Sequence, residues 1–174
     1  SGQIINGYEF LNVIARGGMG EVYQGVSSNQ SIAIKTVLPT IAQDPIALQR
    51  FEHEVEAGKI LKHPNVIEIY ESGEENGTPY LVMDYIEGKD LKRVMTAQIL
   101  EIPRILEIFE DIAQALSYTH AQGLIHRDVK PENVIIREDG TAILIDFGLV
   151  KFADADKDIS GEGAIGTINY MAPE

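Results

Sequence analysis

Residues that could do chemistry are concentrated in the segment "HRDVKPEN", which spans residues 126–133. It combines two acids, three bases and an amide, and apolar runs adjoin it on both sides. A solvated loop has no need of such flanks. A carboxylate such as Asp128 could orient a hydroxyl, the nearby Lys130 could neutralise a phosphate, and the Asn133 amide could bind a hard metal ion.

A further carboxylate lies in the segment "LIDFGLV" (residues 144–150), where Asp146 directly follows an apolar strand candidate. Asn133 and Asp146 offer oxygen ligands of the type that Mg²⁺ accepts alongside nucleotide phosphates. The chain has no cysteine and no clustered histidine, so the sequence does not favour a zinc site. Either carboxylate alone could simply cap a turn, but the ordered set indicates a site for phosphate, metal and a hydroxyl.

A glycine-rich segment, "IARGGMGEVY" (residues 14–23), lies between two strand candidates. Gly17, Gly18 and Gly20 leave backbone amides that can approach phosphate oxygens closely. The strand–turn–strand context differs from the strand–turn–helix context of a dinucleotide fingerprint or a P-loop. Taken alone, an ordinary glycine-rich hairpin is an equal alternative.

Lys35 lies within the apolar segment "SIAIK" (residues 31–35). A lysine in such a strand normally has an anionic partner. Glu54 is the predicted partner, because it lies near the apolar face that Phe51 and Val55 define on the following helix. The alternative is a lysine that reaches solvent from an edge strand.

The elements that must position these residues change in character along the chain. Alternation of apolar residues predicts strands over 8–14, 22–26, 32–37, 66–70, 80–84, 134–137 and 142–145. Helical periodicity predicts helices over 45–62 and 103–122, and a polar turn is predicted over 73–78. The pattern indicates a small β-rich lobe, a linker near 84–88 and a more helical lobe.

Composition restricts the classes of partner. The 174 residues are 44% hydrophobic and 24% charged, with a net charge of −13. Such an acidic chain argues against nucleic acid or an anionic membrane surface as the main partner. No apolar run is long enough to span a membrane, so no membrane contact is expected of this segment, although a parent protein could be anchored elsewhere. The absence of cysteine fits a cytoplasmic setting.

Taken in order, these motifs resemble those of eukaryotic-type (Hanks-type) protein kinases. The order is a Gly-rich loop, Lys35, a helix glutamate, residues 126–128, Asn133, residues 146–148 and the final "APE" at 172–174. "GGMGEVY" together with "HPNV" is similar to the bacterial serine/threonine kinases of this family. The resemblance covers essentially the whole chain.

The resemblance implies an α+β, two-lobed kinase-like fold. The small β-rich N-lobe is expected over 1–83, the hinge over 84–88 and a partial helical C-lobe over 89–174. The C-lobe is expected to be partial because the family continues with several helices beyond the position of Glu174. It follows that the chain is expected to be truncated after the APE motif.

The activity implied is transfer of the γ-phosphate of ATP to serine or threonine hydroxyls of protein substrates, with Mg²⁺ or alternatively Mn²⁺. Asp128 would accept the hydroxyl proton and Lys130 would contact the γ-phosphate. Asn133 and Asp146 would hold the metal ion. Lys130, and Gly166-Thr167 before Tyr170-Met171, resemble serine/threonine kinases more than tyrosine kinases.

The resemblance also implies a nucleotide site. Lys35 would hold the α- and β-phosphates and pair with Glu54, and Met83 would be the gatekeeper. The expected nucleotide-binding residues besides Lys35 are Ile14, Gly17, Gly18, Gly20, Val22, Ala33, Met83, Asp84, Ile86 and Ile135.

Two positions depart from the family pattern. Ala15 stands where the first glycine of the Gly-rich loop usually lies, which is expected to stiffen that loop. Gly58 stands one helical turn after Glu54, where the family usually places a larger apolar residue of its regulatory spine. Because a mid-helix glycine costs about 1 kcal/mol relative to alanine, the helix is expected to be loosely held. Filling the gap by Gly58→Leu is then expected to raise activity.

A second class of function is a nucleotide-binding signalling or scaffold module that is catalytically weak through truncation or as a pseudokinase. Retention of Lys35, Asp128, Asn133 and Asp146 speaks against a pseudokinase. The apolar side of the predicted helix 103–122 is broad, so self-association of the isolated segment is also expected.

Regulation is expected at Ser160. The hydroxyls after Asp146 are those of Ser160, Thr167 and Tyr170, and the resemblance gives Thr167 a structural role near Asp128. Arg127 before Asp128 resembles kinases whose activation segment is organised by phosphorylation through new charge-assisted contacts. Mass spectrometry of the active protein should find phosphate on Ser160. Active protein with Ser160 unmodified would count against this site.

Overall fold

The computed structural model describes residues 4–5, 7–16, 20–38, 42–43, 45–146 and 151–152. The chain divides into two compact units. Unit 1 comprises Ser1–Lys59 and Glu68–Ile86, and unit 2 comprises Ile60–Ile67 and Glu87–Glu174. The lobe and hinge bounds derived from the sequence stay predictions.

Unit 1 is built on an antiparallel sheet of six strands in the order β1-β2-β3-β4-β6-β5. The strands are β1 (Ile4–Ile5), β2 (Tyr8–Arg16), β3 (Gly20–Ser27), β4 (Gln30–Val37), β5 (Ile69–Glu75) and β6 (Thr78–Asp84). Helix α1 (Pro45–Lys59) follows β4 in the chain. The three strands and the helix predicted from the first third of the sequence are confirmed, with shifted ends.

Two tight hairpins fix the register of this sheet. Ser28 and Asn29 connect β3 to β4 with φ of 48° and 70°, and Asn76 and Gly77 connect β5 to β6 with φ of 52° and 75°. Positive φ at both central residues is the feature of type I′ turns, whose twist matches that of the flanking strands. The polar turn predicted over 73–78 was therefore too long, because β5 continues through Glu75.

The two faces of the sheet have separate cores. One core contains the buried side chains Phe10, Ile32, Ile34, Tyr80 and Val82. On the opposite face, Phe51 and Val55 of α1 pack with Val37, Ile69 and Leu81. Because successive side chains of a strand point to opposite faces, Lys35 shares its face with Val37 and therefore with the helix.

The expectation of a gap at Gly58 is wrong. Gly58 is buried, and a Cβ atom built there would lie 2.0 Å from Cδ1 of Ile69 and 2.9 Å from its Cγ1. The side chain of Ile69, itself 6% exposed, fills the space that a larger residue at position 58 would take. Gly58→Leu would therefore introduce a clash rather than fill a void.

Unit 2 contains helices and short strands. Its elements are β7 (Gly88–Asp90), α2 (Leu91–Ala97), α3 (Ile102–Ala121), β8 (Leu124–Ile125), a 3-10 turn (Pro131–Asn133), β9 (Val134–Arg137), β10 (Ala142–Leu144) and β11 (Lys151–Phe152). They form a three-stranded sheet, β10-β9-β7, and a two-stranded pair, β11-β8. Helix α3 and the pair β9–β10 confirm their predictions, whereas β7, α2, β8 and β11 were missed.

The connection at residues 60–67 is fastened to β10. The backbone N–H of Leu144 donates to the carbonyl of Asn65 at 2.8 Å, and that of Ile67 donates to the carbonyl of Leu144 at 3.0 Å. The buried Asn65 side chain also donates from Nδ2 to the carbonyl of Ala142 at 2.9 Å. These bonds hold the strand that leads directly to Asp146.

The same contacts explain a wrong boundary. A strand was predicted over 66–70, but Val66 forms only an isolated parallel bridge with Leu144, and regular pairing to β6 starts at Ile69. The predicted helix over 45–62 likewise ends earlier, at Lys59. In both cases the apolar pattern continues through residues that pack in unit 2 without regular structure.

Helix α3 has a buried and an exposed apolar side. Ile108, Ile112 and Ala115 are buried, whereas Leu106 is 62% and Phe109 is 68% exposed. This agrees with the broad apolar surface expected of the helix, while self-association stays a prediction. Within the described ranges, no helix combines the length and apolarity that crossing a membrane requires.

The cluster between α1 and the sheet should dominate the stability of unit 1. Leu81→Ala removes a fully buried side chain and should lower the free energy of unfolding by about 2–5 kcal/mol. Leu11→Ala, at a position that is 52% exposed on β2, should change it by about 0.5 kcal/mol or less. Chemical denaturation measures both. Equal effects of the two substitutions would show that this cluster is not a packed core.

Candidate active site

The segment 126–133 is held in place by local structure at both of its ends. Leu124 of β8 is fully buried, and His126 is 1% exposed. At the other end Pro131, which cannot donate a backbone hydrogen bond, begins the 3-10 turn that ends at Asn133. The backbone N–H of Asn133 donates to the carbonyl of Lys130 at 2.9 Å. The residues between these ends are therefore positioned by buried structure.

Asp128 lies at the centre of this segment. Nζ of Lys130 lies 2.6 Å from its Oδ2, and Nδ2 of Asn133 donates to the same Oδ2 at 2.9 Å. The Asp128 side chain is 11% exposed and that of Lys130 is 22% exposed. Two donors on one oxygen of a largely buried carboxylate favour its ionised form and fix its orientation.

The orientation of the Asn133 carboxamide is also fixed. Its Nδ2 donates to the backbone carbonyl of Asp128, at 2.9 Å, as well as to the carboxylate. With the amide nitrogen engaged twice, Oδ1 is the atom of this side chain that can bind a cation. The group fits the role of a hard-metal ligand.

His126 connects the segment to the strand before Asp146. Its Nε2 lies 3.1 Å from the carbonyl of Ile145, and its Nδ1 accepts from the backbone N–H of Asp128 at 3.3 Å. Burial lowers the pKa of His126 below its ordinary value and outweighs the raising effects of the Ile145 carbonyl and the Asp146 and Asp128 carboxylates. The neutral ring with its proton on Nε2 satisfies both bonds.

A further bond completes this connection. The backbone N–H of Ile145 donates to the carbonyl of Asn133 at 2.9 Å. Both polar groups of the Ile145 backbone thus bind the segment 126–133. Asp146 therefore directly follows a residue whose backbone is bonded at two points to the segment 126–133.

Two residues at this site have left-handed backbone conformations. Arg127 has φ of 63° and Asp146 has φ of 62°. Aspartate adopts this region more readily than most residues, but for arginine it costs about 1–2 kcal/mol. Such conformations persist where surrounding contacts over-determine them, as the bonds of His126 and Ile145 do here, and they cluster at functional sites.

In unit 1, the register places several predicted nucleotide-binding residues on one face of the sheet. Val22 pairs with Lys35, and Ala33 pairs with Met83. Residues directly opposite each other in antiparallel strands project to the same side, and Ala33 and Lys35 are two residues apart. The predicted phosphate-binding lysine, the predicted gatekeeper Met83 and two further predicted nucleotide-binding residues are therefore neighbours.

Gly20 is required by the sheet itself. A Cβ atom at this position would lie 1.8 Å from the carbonyl oxygen of Thr36, because β3 and β4 approach closely here. The sequence interpretation gave Gly20 a role in phosphate binding only. The close approach of β3 and β4 is a second reason for glycine at this position, and the Gly-rich motif alone does not indicate it.

The remaining predicted nucleotide-binding residues are spread over both units. In unit 1, Ile14 is 40% exposed on β2, Ile86 is buried, and the backbone N–H of Asp84 donates to the carbonyl of Glu68 at 2.9 Å. In unit 2, Ile135 lies in β9 opposite Ile143. Each of these assignments stays a prediction.

Some predicted residues lie outside the described part of the chain. These are Gly17 and Gly18 of the Gly-rich loop, Ser160 and Thr167, and the motif residues 147–148 and 172–174. Glu54 lies within α1, but its side chain is not among the described groups, so its pairing with Lys35 stays a prediction.

Sequence reasoning missed the supporting role of Asn65. Asn65 follows the predicted helix over 45–62 and is a buried polar residue whose bonds fasten β10. The signal was the position of a polar side chain between two apolar runs, since a buried amide needs fixed partners. The role of the Ile145 backbone has no sequence signal at all.

Comparison with known proteins identifies the class to which this fold and site belong. The protein kinase domain model matches residues 8–174. The chain belongs to the protein kinase domain family, as its motifs indicated.

Individual relatives are bacterial. The chain is 37% identical over 177 residues to the serine/threonine-protein kinase PknH of Mycobacterium tuberculosis, covering 99% of this chain and 28% of PknH. It is 34% identical over 177 residues to the serine/threonine-protein kinase PrkC of Bacillus subtilis, covering 99% of this chain and 27% of PrkC. The chain thus spans less than a third of the length of these curated relatives.

A solved structure gives the same assignment. The crystal structure of the Mycobacterium tuberculosis PknI kinase domain matches with a TM-score of 0.75 and 34% sequence identity, covering 85% of this chain and 62% of that one. The predicted α+β kinase-like fold is confirmed.

The lowered pKa of His126 predicts a pH dependence of stability. Since this pKa lies below the unfolded value of about 6.5, the unfolded state takes up a proton more readily as pH falls. The contribution to the free energy of unfolding is fully present above pH of about 6.5 and is lost as pH falls towards the folded-state pKa. Denaturation at pH 7.5 and 5.5 should show a smaller decrease for His126→Phe than for the wild type.

A matched substitution at an exposed histidine provides the control. His120→Gln, near the end of α3, should leave the wild-type pH dependence intact. If wild type and His126→Phe lost equal stability between the two pH values, titration of His126 would not be the cause. His126→Phe should also be less stable at pH 7.5, by about 1–3 kcal/mol, because it loses two hydrogen bonds.

Proposed function

We propose that the chain is the part of a protein serine/threonine kinase that carries its catalytic groups, and that it transfers the γ-phosphate of ATP to hydroxyls of protein substrates. The observation that carries this proposal is the arrangement at Asp128. A largely buried carboxylate has an ammonium at 2.6 Å and a carboxamide at 2.9 Å on the same oxygen. This set suits a reaction in which a hydroxyl attacks a charged phosphoryl group.

Asp128 is assigned to the hydroxyl. An ionised carboxylate that is held in one orientation can accept a hydrogen bond from the attacking Ser or Thr hydroxyl and take its proton as transfer proceeds. The contacts from Lys130 and Asn133 favour the ionised form, as this role requires.

Lys130 is assigned to the phosphate. Its Nζ is close enough to Asp128 to serve a hydroxyl and a phosphoryl group at the same point. A fixed positive charge in a site with little water stabilises charge that shifts between oxygens during transfer. The position of Lys130 two residues after Asp128 also resembles serine/threonine kinases, and the relatives PknH and PrkC carry that name.

Asn133 and Asp146 are assigned to the metal ion. Within the described ranges, no group of three or more His, Cys, Asp or Glu side chains could hold a metal. Mg²⁺ suits a smaller set, because it is commonly bound through one or two protein ligands together with substrate phosphates and water. When bound, the ion would neutralise phosphate charge; Mn²⁺ accepts the same oxygen ligands.

Unit 1 is assigned to the nucleotide. Lys35 would bind the α- and β-phosphates, with Glu54 as its partner. Val22 and Ala33 would contact the base, and Met83 would be the gatekeeper. The shared sheet face of Lys35, Val22, Ala33 and Met83 supports this assignment. A cytoplasmic location, the protein substrate and Ser160 as regulatory site stay predictions of the sequence.

The role of Asp128 can be tested by a near-isosteric change in the full-length protein. Asp128→Asn should lower kcat by about 10²–10⁴-fold, because the amide cannot accept the hydroxyl proton. The affinity for ATP should remain within about threefold of wild type, since Asp128 acts on the hydroxyl and not on the nucleotide. Radiolabelled phosphate transfer and equilibrium nucleotide binding measure the two quantities.

The control is Asp139→Asn, which changes an exposed aspartate in the turn between β9 and β10. It should leave kcat unchanged. Equal turnover in wild type and Asp128→Asn would overturn the assignment. A wild-type protein that binds ATP without transferring phosphate would instead identify a nucleotide-binding signalling module.

A further inference from the structure

Helix α3 holds the β9–β10 hairpin through two polar side chains on one of its faces. Oδ2 of Asp111 accepts a hydrogen bond from the backbone N–H of Ala142, the first residue of β10, at 2.8 Å. Seven residues earlier on the helix, the guanidinium of Arg104 donates to the carbonyl of Gly140 in the hairpin turn. Residues at this spacing share one helix face, and the buried Ile108 lies between them on it. The helix thus binds the hairpin at its turn and at the start of β10.

Strand β10 depends on such support because it is a short strand at the edge of a sheet. It contains three residues and lies at one edge of the sheet β10-β9-β7. Both polar groups of the Ala142 backbone bind outside that sheet: its N–H binds Asp111, and its carbonyl accepts from Nδ2 of Asn65. Because a pair of short strands is marginally stable alone, these bonds help to keep β10 aligned with β9. Asn65 belongs to an irregular segment, whereas α3 is a helix of 20 residues and offers a fixed reference.

Both contacts are directional and partly shielded from water. The Arg104 side chain is 28% exposed, and its Nη1 also lies 2.8 Å from Oε2 of Glu107 on the same helix. Gly140 has φ of 94°, and a Cβ atom there would lie 3.3 Å from Nη1 of Arg104, so glycine lets the guanidinium lie directly against the turn. Apolar packing is non-directional, whereas hydrogen bonds to charged groups are strong and depend on geometry. The two contacts therefore determine where the hairpin stands along α3.

The alignment of β10 with β9 sets the distance between the two proposed metal ligands. Strand β9 begins directly after Asn133, and β10 ends two residues before Asp146. At this end of the hairpin Val134 pairs with Leu144, and the backbone N–H of Ile145 donates to the carbonyl of Asn133 at 2.9 Å. Movement of β10 along β9 would therefore move Asp146 relative to Asn133.

We propose that Arg104 and Asp111 are positioning residues for the metal ion: their bonds keep the hairpin aligned, so that Asn133 and Asp146 stay at a separation that one ion can bridge. The inference rests on the proposed function, in which Asn133 and Asp146 bind Mg²⁺. Arg104 and Asp111 act through the hairpin and not by contact with the ion. Substitution of residues that support metal ligands in this way typically lowers metal affinity or activity by about 10–100-fold.

Metal binding measures this effect without phosphoryl transfer. The probe is Mn²⁺, whose free concentration is followed by electron paramagnetic resonance while the full-length protein is titrated in the presence of a non-hydrolysable ATP analogue. Asp111→Ala should weaken Mn²⁺ binding by about tenfold or more. Asp111→Asn keeps an acceptor oxygen for the N–H of Ala142 and should remain within about threefold of wild type. Binding of the analogue without metal should stay unchanged in both variants, since the nucleotide is assigned to unit 1.

Amide hydrogen exchange tests the alignment of the hairpin itself. The N–H of Ile145 lies beyond the end of β10, and its partner, the carbonyl of Asn133, is unchanged in the variants. Its exchange in the metal-free protein, resolved by fragmentation in the mass spectrometer, should be about tenfold faster in Asp111→Ala, the factor expected when one hydrogen bond to a charged group is lost. Arg104→Ala should accelerate exchange of the same amide, and it keeps the test informative if Asp111→Ala does not fold.

Asp139→Ala is the matched control. The Asp139 carboxylate also accepts a backbone hydrogen bond at 2.8 Å, from Thr141, but this bond lies within the hairpin turn and does not involve α3. Its loss should change neither Mn²⁺ binding nor the exchange of the Ile145 amide. The inference requires both changes in Asp111→Ala, so the absence of either one overturns it, as does a loss of stability alone.

Asp146→Asn separates this inference from the proposed function. It removes a proposed ligand and should abolish the Mn²⁺ binding that depends on the nucleotide analogue. If it bound Mn²⁺ as wild type does, or if wild type bound none, the metal assignment would be overturned. The exchange of the Ile145 amide would then still decide whether Asp111 holds the hairpin.

Discussion

The backbone of Ile145 is the constraint on which the site in unit 2 depends. Its carbonyl lies at hydrogen-bonding distance from Nε2 of the buried His126, and its N–H donates to the carbonyl of Asn133. These bonds join the two ends of the segment 126–133 to the residue before Asp146. Because His126 is buried, water cannot easily compete for its bond to Ile145, so the arrangement is stiff. The left-handed conformations at Arg127 and Asp146 are sustained by this framework.

In unit 1, the register of the strands, rather than individual hydrogen bonds, determines on which face Lys35 lies. Alternation along β4 assigns Ile34 to one core and Lys35 to the face of α1, and a slip by one residue would exchange them. Type I′ turns at residues 28–29 and 76–77 make such a slip costly. The position of a charged residue within an apolar strand is thus decided by the same packing that stabilises the sheet.

These two mechanisms explain what the sequence could predict. The order of the motifs was sufficient to predict the family and the fold class, and apolar periodicity was sufficient to predict the long elements. Each motif and each periodic segment consists of residues close together in the chain. The boundary at Ile69 was missed, because the bridge between Val66 and Leu144, which are distant in the chain, decides it. Helix α2 was missed although its N-terminus has a local cap, in which Asp90 accepts from the backbone N–H of Arg93. Asn65 shows the difference most clearly, because its partner Ala142 is 77 residues away. Likewise, the motif contains Asp128 and Asn133, but only the folded structure shows that Asn133 orients Asp128.

The error at Gly58 has a more general physical cause. Compared with the family pattern, Gly58 was interpreted as the loss of a side chain, on the assumption that the neighbouring residues do not change. In a close-packed interior the volume lost at one residue is taken up by a neighbour, and here the neighbour is Ile69, on a different element and 11 residues later. Glycine then brings the helix closer to the strand instead of loosening it, and the entropic cost of about 1 kcal/mol in the helix is opposed by burial of the isoleucine side chain, which contributes about 1.5–3 kcal/mol. A departure from a pattern therefore has meaning only together with the residue that packs against it.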